Sequence, residues 1–258
     1  MQEDDLMRDE ISTIIEGLKK LFIPDFENVA KKMYRFMQLV LERNELINLT
    51  TITETDEFIE RHLLDSVVCY GWAEIEKANL IVDVGTGSGI PGIPLALCYP
   101  DKKFLLIDSL GKRIDFINEV IDDLQITNVQ AIHARAEDAG KDATIRESFD
   151  LCVSRAVAPL NVLLEYCLPL IKPQGAFYAY KTVKAKSEIE DSELALRLLG
   201  ASLDVQTRTY GKNWEQNDPD VRFSNDSPYS LCIFVVSKQS STPLTYPRKA
   251  GRPKKVPL

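Results

Sequence analysis

Apolar residues recur with two different periods along this 258-residue chain, and the change falls near residue 80. Before it the spacing is helical. Ile11, Ile14, Ile15, Leu18 and Leu21 or Phe22 share one face, and after Pro24 so do Val29, Met33, Phe36, Met37 and Val40. A third helix is expected to start at Thr53 or Thr55, either hydroxyl serving as N-cap with acids following, and to bury Phe58, Ile59, Leu63 and Val67. Beyond residue 80 short apolar runs alternate with helix-like stretches. The runs are 80–84, 104–108, 129–133, 149–154 and 176–181; the helices are 89–98, 110–124, 160–170 and 186–199. Strands alternating with helices pair in parallel through right-handed crossovers. Two late runs, 201–209 and 229–237, have no helix between them, and 210–228 is rich in Asn, Asp and Pro. They are expected to pair with one member antiparallel. The expected architecture is therefore α/β, a doubly wound, mostly parallel seven-stranded sheet with an N-terminal helical extension. Three segments follow: the extension 1–75, the sheet body 76–238 and a tail 239–258.

Composition narrows the class. With 45% apolar and 27% charged residues the chain reads as a soluble globular protein. No apolar run reaches the ~18 residues of a spanning helix. The acidic start Met1-Gln2-Glu3-Asp4-Asp5 fits neither a signal nor a transit peptide. Cys69, Cys98, Cys152, Cys167 and Cys232 form no Cys-x-x-Cys pair, so zinc and disulfide frameworks are not expected and a reducing cytoplasm is. The two histidines, His62 and His133, are too far apart in sequence to suggest a metal site. A net charge of −8 argues at first against a nucleic-acid partner. Its distribution reverses that. Lys238, Arg248, Lys249, Arg252, Lys254 and Lys255 stand in a stretch without acids, and these six charges leave −14 on the rest. A basic tail on an acidic body suits a polyanion met at one place. Being Pro-rich, residues 243–258 carry neither a core nor a helix pattern. The tail is expected to lie along phosphate and fold back near Tyr246 and Pro247, and its loss to leave cofactor affinity unchanged.

The most informative stretch is Asp83-Val84-Gly85-Thr86-Gly87-Ser88-Gly89-Ile90-Pro91-Gly92, between an expected strand and an expected helix. Glycines there make a tight turn and admit a ligand close to the backbone. Gly87-x-Gly89-x-x-Gly92 also matches the dinucleotide fingerprint, a weak signal alone. Asp83 stands two residues before the first glycine, and the glycines run earlier and denser than that fingerprint requires. This suits a ligand with an amino-acid end, as in the cofactor loop of class I S-adenosylmethionine methyltransferases. Asp108, ending the second strand, is placed to accept ribose hydroxyls, which either adenine cofactor would offer. As a strand-end acid it is expected to lie outside the core. After the third strand, Arg135-Ala136-Glu137-Asp138 is placed to close over an adenine.

The fourth strand bears on the acceptor. Pro-Cys, which carries the nucleophile for pyrimidine carbon methylation, is absent. The Asn/Asp-Pro-Pro-Tyr/Phe corner of exocyclic-amine methyltransferases is replaced by Ser154-Arg155-Ala156-Val157-Ala158-Pro159. A fixed guanidinium there suits a carboxylate, a phosphate or the O6/N7 edge of guanine. His62 and Asp65 are three apart on the third helix and share a face. Lys181, Lys184 and Lys186, after the fifth strand, are either further phosphate contacts or a solvated lysine face.

Several short motifs occur in a distinctive order. They are Asn48-Leu49-Thr50, His62-x-x-Asp65-Ser66, the glycine loop, Asp108-Ser109-x-x-Lys112-Arg113, Arg135-Ala136-Glu137, Ser154-Arg155-Ala156 and Tyr246-Pro247-Arg248-Lys249-Ala250-Gly251-x-Pro253. In these the chain resembles the bacterial small-subunit ribosomal RNA guanine-N7 methyltransferases, also called the glucose-inhibited division protein B family. The resemblance implies a class I, Rossmann-like methyltransferase using S-adenosyl-L-methionine. Its target would be a guanine of 16S RNA, naked or in an assembling or assembled small subunit. It implies Gly85, Ile90, Ala136, Glu137 and Arg155 around the cofactor, to which the loop and strand-end pattern add Asp83, Gly87, Gly89 and Asp108, and it places Arg155 and His62 at the reaction. Ile90 stands where the family usually has an aromatic residue, and 210–228, with Trp214, is longer than the family suggests. A cytoplasmic monomer without membrane contact is expected. A small-molecule methyltransferase and a non-catalytic nucleoside-binding regulator are the alternatives.

Overall fold

The structure, a computed structural model, describes residues 2–182, 185, 187–204 and 231–258. Lys184, Lys186 and the whole of 210–228 lie outside the described residues, as does the end of the run 201–209.

Seven strands form one sheet in the order β3-β2-β1-β4-β5-β7-β6. They are β1 (Leu80–Val84), β2 (Lys103–Asp108), β3 (Val129–His133), β4 (Phe149–Arg155), β5 (Ile171–Thr182), β6 (Ala201–Asp204) and β7 (Leu231–Lys238). β1 to β5 pair in parallel, and β7 enters antiparallel between β5 and β6. The strand order reverses between β1 and β4, which opens a crevice at their carboxyl ends.

Strand alternation divides the core in two. Ile81, Leu106, Leu151 and Tyr178 face one side, while Val82, Ile107, Cys152 and Phe177 face the other. Covering both faces explains why these strands read as continuous apolar runs. The first face is covered by α1 (Gln2–Lys20) and α2 (Phe26–Asn44), through Ile14, Leu18, Met33 and Phe36. The N-terminal helices thus share the sheet's own core. Arg35 binds Asp123 through both carboxylate oxygens, at 3.0 and 2.9 Å, across to helix Gly111–Asp123. On the second face lie helices Leu160–Cys167 and Glu193–Leu199.

Several local expectations need correction. The third helix starts at Thr55, but Glu54 holds the N-cap position and makes no side-chain cap bond. Its middle, Ile59–Leu64, is π-helical. The stretch 160–170 ends in a 3-10 turn, Leu168–Leu170, and 186–199 is broken between Ser187–Glu190 and Glu193–Leu199. Lys238 is not a tail residue at all. It ends β7 almost fully buried, and its Nζ donates to Glu147 Oε1 at 2.6 Å and to the carbonyls of Leu168 and Ile171.

Candidate active site

The glycine loop follows β1 and turns through three positive φ angles, +74° at Gly85, +60° at Gly87 and +97° at Gly89. The amides of Gly85 and Thr86 donate to the Ile107 carbonyl at 2.8 and 3.1 Å, tying the loop to β2. A Cβ at Gly85 would run into Val157 Cγ2, and one at Gly89 would lie 2.8 Å from Ile93 Cγ1. Gly87 differs: nothing among the described residues approaches its virtual Cβ nearer than 3.9 Å. Gly85 and Gly89 are glycines for packing as well as φ, whereas Gly87 lies on the open side of the loop, where a ligand can approach the chain.

Asp83 lies beneath this loop, fully buried. Its Oδ2 accepts the Thr86 hydroxyl at 2.8 Å and the Gly92 amide at 3.0 Å. Its Oδ1 has no hydrogen-bond partner among the described residues. Burial pushes the carboxyl up to about 7, against the pull of those two donors. Asp108 is also buried, contrary to the expectation for a strand-end acid. Its Oδ2 accepts the Gly87 amide at 2.9 Å and its Oδ1 the Leu110 amide at 2.9 Å. It therefore fixes the open glycine as well as lining the crevice. Ile90 is buried in the core that α2 covers, so its side chain packs inward instead of offering a stacking surface.

The turn after β3 stands beside Asp108, because Ala134 donates its amide to the Asp108 carbonyl at 3.0 Å. Ala136 opens the short helix Ala136–Ala139, in which Glu137 is buried. Glu137 Oε1 accepts the amide of Gly251, from the tail, at 2.7 Å.

At the end of β4, Arg155 reaches the N-terminal helices. Its Nη2 donates to the Arg61 carbonyl and stands 3.7 Å from Asp65 Oδ2, while Nη1 is buried without a hydrogen bond among the described residues. Ala156 turns the corner at φ +57°, and Val157 closes on Gly85. His62 pairs through Nε2 with Thr50 Oγ1 at 2.7 Å and leaves Nδ1 unpartnered among the described residues. Burial, with the Arg155 charge adding to it, pulls this imidazole down to about 3, so it is neutral. Asp65 is raised to about 7 by burial despite Arg155. His62 and Asp65 thus serve different partners across one π-helical turn.

Two groups emerge at the strands' carboxyl ends. Asp83, the glycines, Asp108, Ala136 and Glu137 gather over β1 to β3; Arg155 and His62 gather at β4. The sequence pairs Asp65 with His62 on one face but gives no reason to single out Thr50, Val157 or Gly251. Asp65 and Thr50 lay within recognised motifs, but Val157 and Gly251 act through packing and a backbone amide, which leave no side-chain signal. Lys181 is committed elsewhere, donating to Glu188 Oε2 at 2.7 Å and the Ala158 carbonyl at 2.8 Å, so the phosphate role expected of it does not hold.

The tail is ordered and docked on the body, despite its composition. Arg248 grips buried Glu165 with Nε 2.9 Å from Oε1 and Nη2 2.6 Å from Oε2. Arg146 donates to the Tyr246 and Thr242 carbonyls, each at 2.8 Å. Lys249, Arg252, Lys254 and Lys255 remain exposed.

A family model described as rRNA small subunit methyltransferase G matches residues 29–213. A protein of that name from Lachnoclostridium phytofermentans is 40% identical over 253 residues, 98% of either chain. One from Desulfitobacterium hafniense is 42% identical over 229 residues, 88% of this chain and 89% of its own. Among solved structures, a Klebsiella pneumoniae protein assigned as an O-methyltransferase has a TM-score of 0.51 at 14% identity, covering 80% of this chain and 90% of that one. P. horikoshii TYW2 in complex with MeSAdo has a TM-score of 0.50 at 14% identity, covering 69% of this chain and 62% of that one. These two likenesses concern the fold alone.

Proposed function

The chain belongs to the rRNA small subunit methyltransferase G family, and on that premise we propose that it moves a methyl group from S-adenosyl-L-methionine to N7 of a guanine in 16S ribosomal RNA. The observation that carries the reading is the open glycine loop between two buried acids at the strands' carboxyl ends. The residues fit the cofactor. Asp83 holds beneath the loop an Oδ1 without a partner among the described residues, suited to an ammonium group. Gly87 leaves room against its backbone, and Asp108 and Glu137 suit a ribose and an adenine edge. When bound, the cofactor supplies an electrophilic methyl on a positively charged sulfur.

The acceptor chemistry matches the β4 corner. Guanine N7 has an in-plane lone pair and no proton, so transfer requires alignment and no general base. The bound cofactor would supply the methyl and leave as a neutral thioether, and the purine held by these residues would take up the positive charge. Neutral His62 and the forked Arg155 act by orientation: Nδ1 and Nη1 are buried polar atoms still lacking partners among the described residues. The exposed tail cations favour an RNA acceptor over a small molecule.

No helix among the described residues is long and apolar enough to cross a membrane. The protein works in the cytoplasm, on the small subunit or its RNA. The test is transfer of tritiated methyl to small-subunit RNA from cells lacking the gene, followed by mapping of the labelled nucleotide. Label on a guanine N7 is expected. Label on another atom, or none with cofactor bound, would refute the reading.

A further inference from the structure

We propose that the docked tail completes the cofactor site, with Gly251 as a positioning residue for Glu137. This inference rests on the cofactor reading above. The tail meets the turn after β3 at two points. Pro247 packs so close to Gly140 that a Cβ there would lie 2.9 Å from Pro247 Cγ. Gly251 then donates its amide to Glu137 Oε1 at 2.7 Å. Between these contacts, Arg248 is held by Glu165, an acid with 0% exposure in helix Leu160–Cys167. Three interactions therefore fix the tail's path along helix Ala136–Ala139.

The consequence is local to one carboxylate. Oε1 of Glu137 is taken by the tail, which leaves Oε2 for a ligand. A charge-assisted bond on one oxygen fixes the direction of the other. The tail thereby orients Glu137 toward the nucleoside end of the ligand before the ligand arrives, which reduces the ordering cost of binding. Because binding linkage is reciprocal, the ligand also holds the tail. The position of the tail is thus coupled to cofactor occupancy, whereas the sequence reading leaves cofactor affinity independent of the tail.

The test uses the full chain and S-adenosyl-L-methionine without RNA, by calorimetry. Gly251 sits at φ +78° with nothing among the described residues within 4 Å of its virtual Cβ, so Gly251→Val disturbs the turn and its amide without a clash among them. Affinity should fall about tenfold, as for one charged hydrogen bond. The triple change Arg252→Gln, Lys254→Gln and Lys255→Gln keeps the Gly251 amide and should bind the cofactor like the wild type. In the wild type, saturating cofactor should slow hydrogen exchange at the Gly251 amide severalfold. Wild-type affinity in Gly251→Val, or exchange at Gly251 unaltered by cofactor, would overturn the proposal. Absence of binding to the wild type would instead sink the cofactor reading on which it rests.

Discussion

Asp83 offers the sharpest test of how the loop is built. Its carboxyl is raised from 3.8 to about 7 because burial penalises the charged form. Between those values the folded protein binds a proton that the unfolded chain has released. Stability therefore falls as pH rises, since the folded state binds the extra proton. The contribution is fully present below pH 3.8 and is lost as pH passes through about 7. A shift of that size corresponds to about 4 kcal/mol across the window, an upper figure for a fully buried group. Asp83→Asn keeps an amide oxygen for the Thr86 hydroxyl and the Gly92 amide and never has to charge. Its stability relative to wild type should rise by up to a few kcal/mol between pH 5 and 8. Asp65, also raised to about 7, keeps its own slope in both proteins. The assay is urea unfolding over that range, read at constant m value. A stability difference independent of pH would refute the argument, because the wild-type carboxyl would then be charged in the fold throughout.

Other outcomes follow from the same structure. Arg155→Lys should cut turnover by about 100-fold with little change in melting temperature, since an ammonium cannot span the Arg61 carbonyl and an oriented acceptor; single-turnover rates beside calorimetric melting decide it, and unchanged turnover would exclude the role. Asp108→Ala leaves the Gly87 and Leu110 amides without their acceptor, so it should cost about 2–4 kcal/mol of unfolding free energy, and equilibrium denaturation that shows no loss would contradict the bracing described. Arg248→Ala strands buried Glu165 and should cost about 3–5 kcal/mol, checked by chemical denaturation. Replacing Lys249, Arg252, Lys254 and Lys255 by Gln should flatten the log-log salt slope of RNA binding by about three to four units; parallel salt lines would mean the tail touches no phosphate.

The sheet and the loop were legible because their signals are local. Leu80 to Val84 is apolar on both faces but for Asp83, glycines follow at once, and Asp108 ends the next run at the right distance. What the sequence concealed is long-range pairing of charge. Six tail cations looked alike, yet Lys238 is buried against Glu147 and Arg248 against Glu165, so four remain for a partner. A clue existed in Glu165, an acid among Leu160, Leu163, Leu164 and Cys167 on a buried helix. Such an acid demands a cation from elsewhere, but nothing in the neighbouring residues says which. Lys181 misled for the same reason, since its partner Glu188 lies seven residues further along the chain. The π-helical turn at His62 left no periodic mark, because its six residues are too few to shift the spacing of Phe58, Ile59, Leu63 and Val67.

The position of β7 has a consequence for synthesis. Strand β5 pairs on one side with β4 and on the other with β7, from Ala176↔Ser237 to Thr182↔Leu231. As the chain leaves the ribosome, β1 to β5 can associate early, each with a parallel neighbour already made. The outer edge of β5 then stays unpaired until residues 231–238 appear. That edge is long and carries Phe177, Tyr178 and Tyr180, the kind that recruits foreign strands. Late closure of a non-local pair is also slow. The interval between the fifth strand and the seventh is therefore when the nascent chain is most open to mispairing, and when a chaperone would have most to protect.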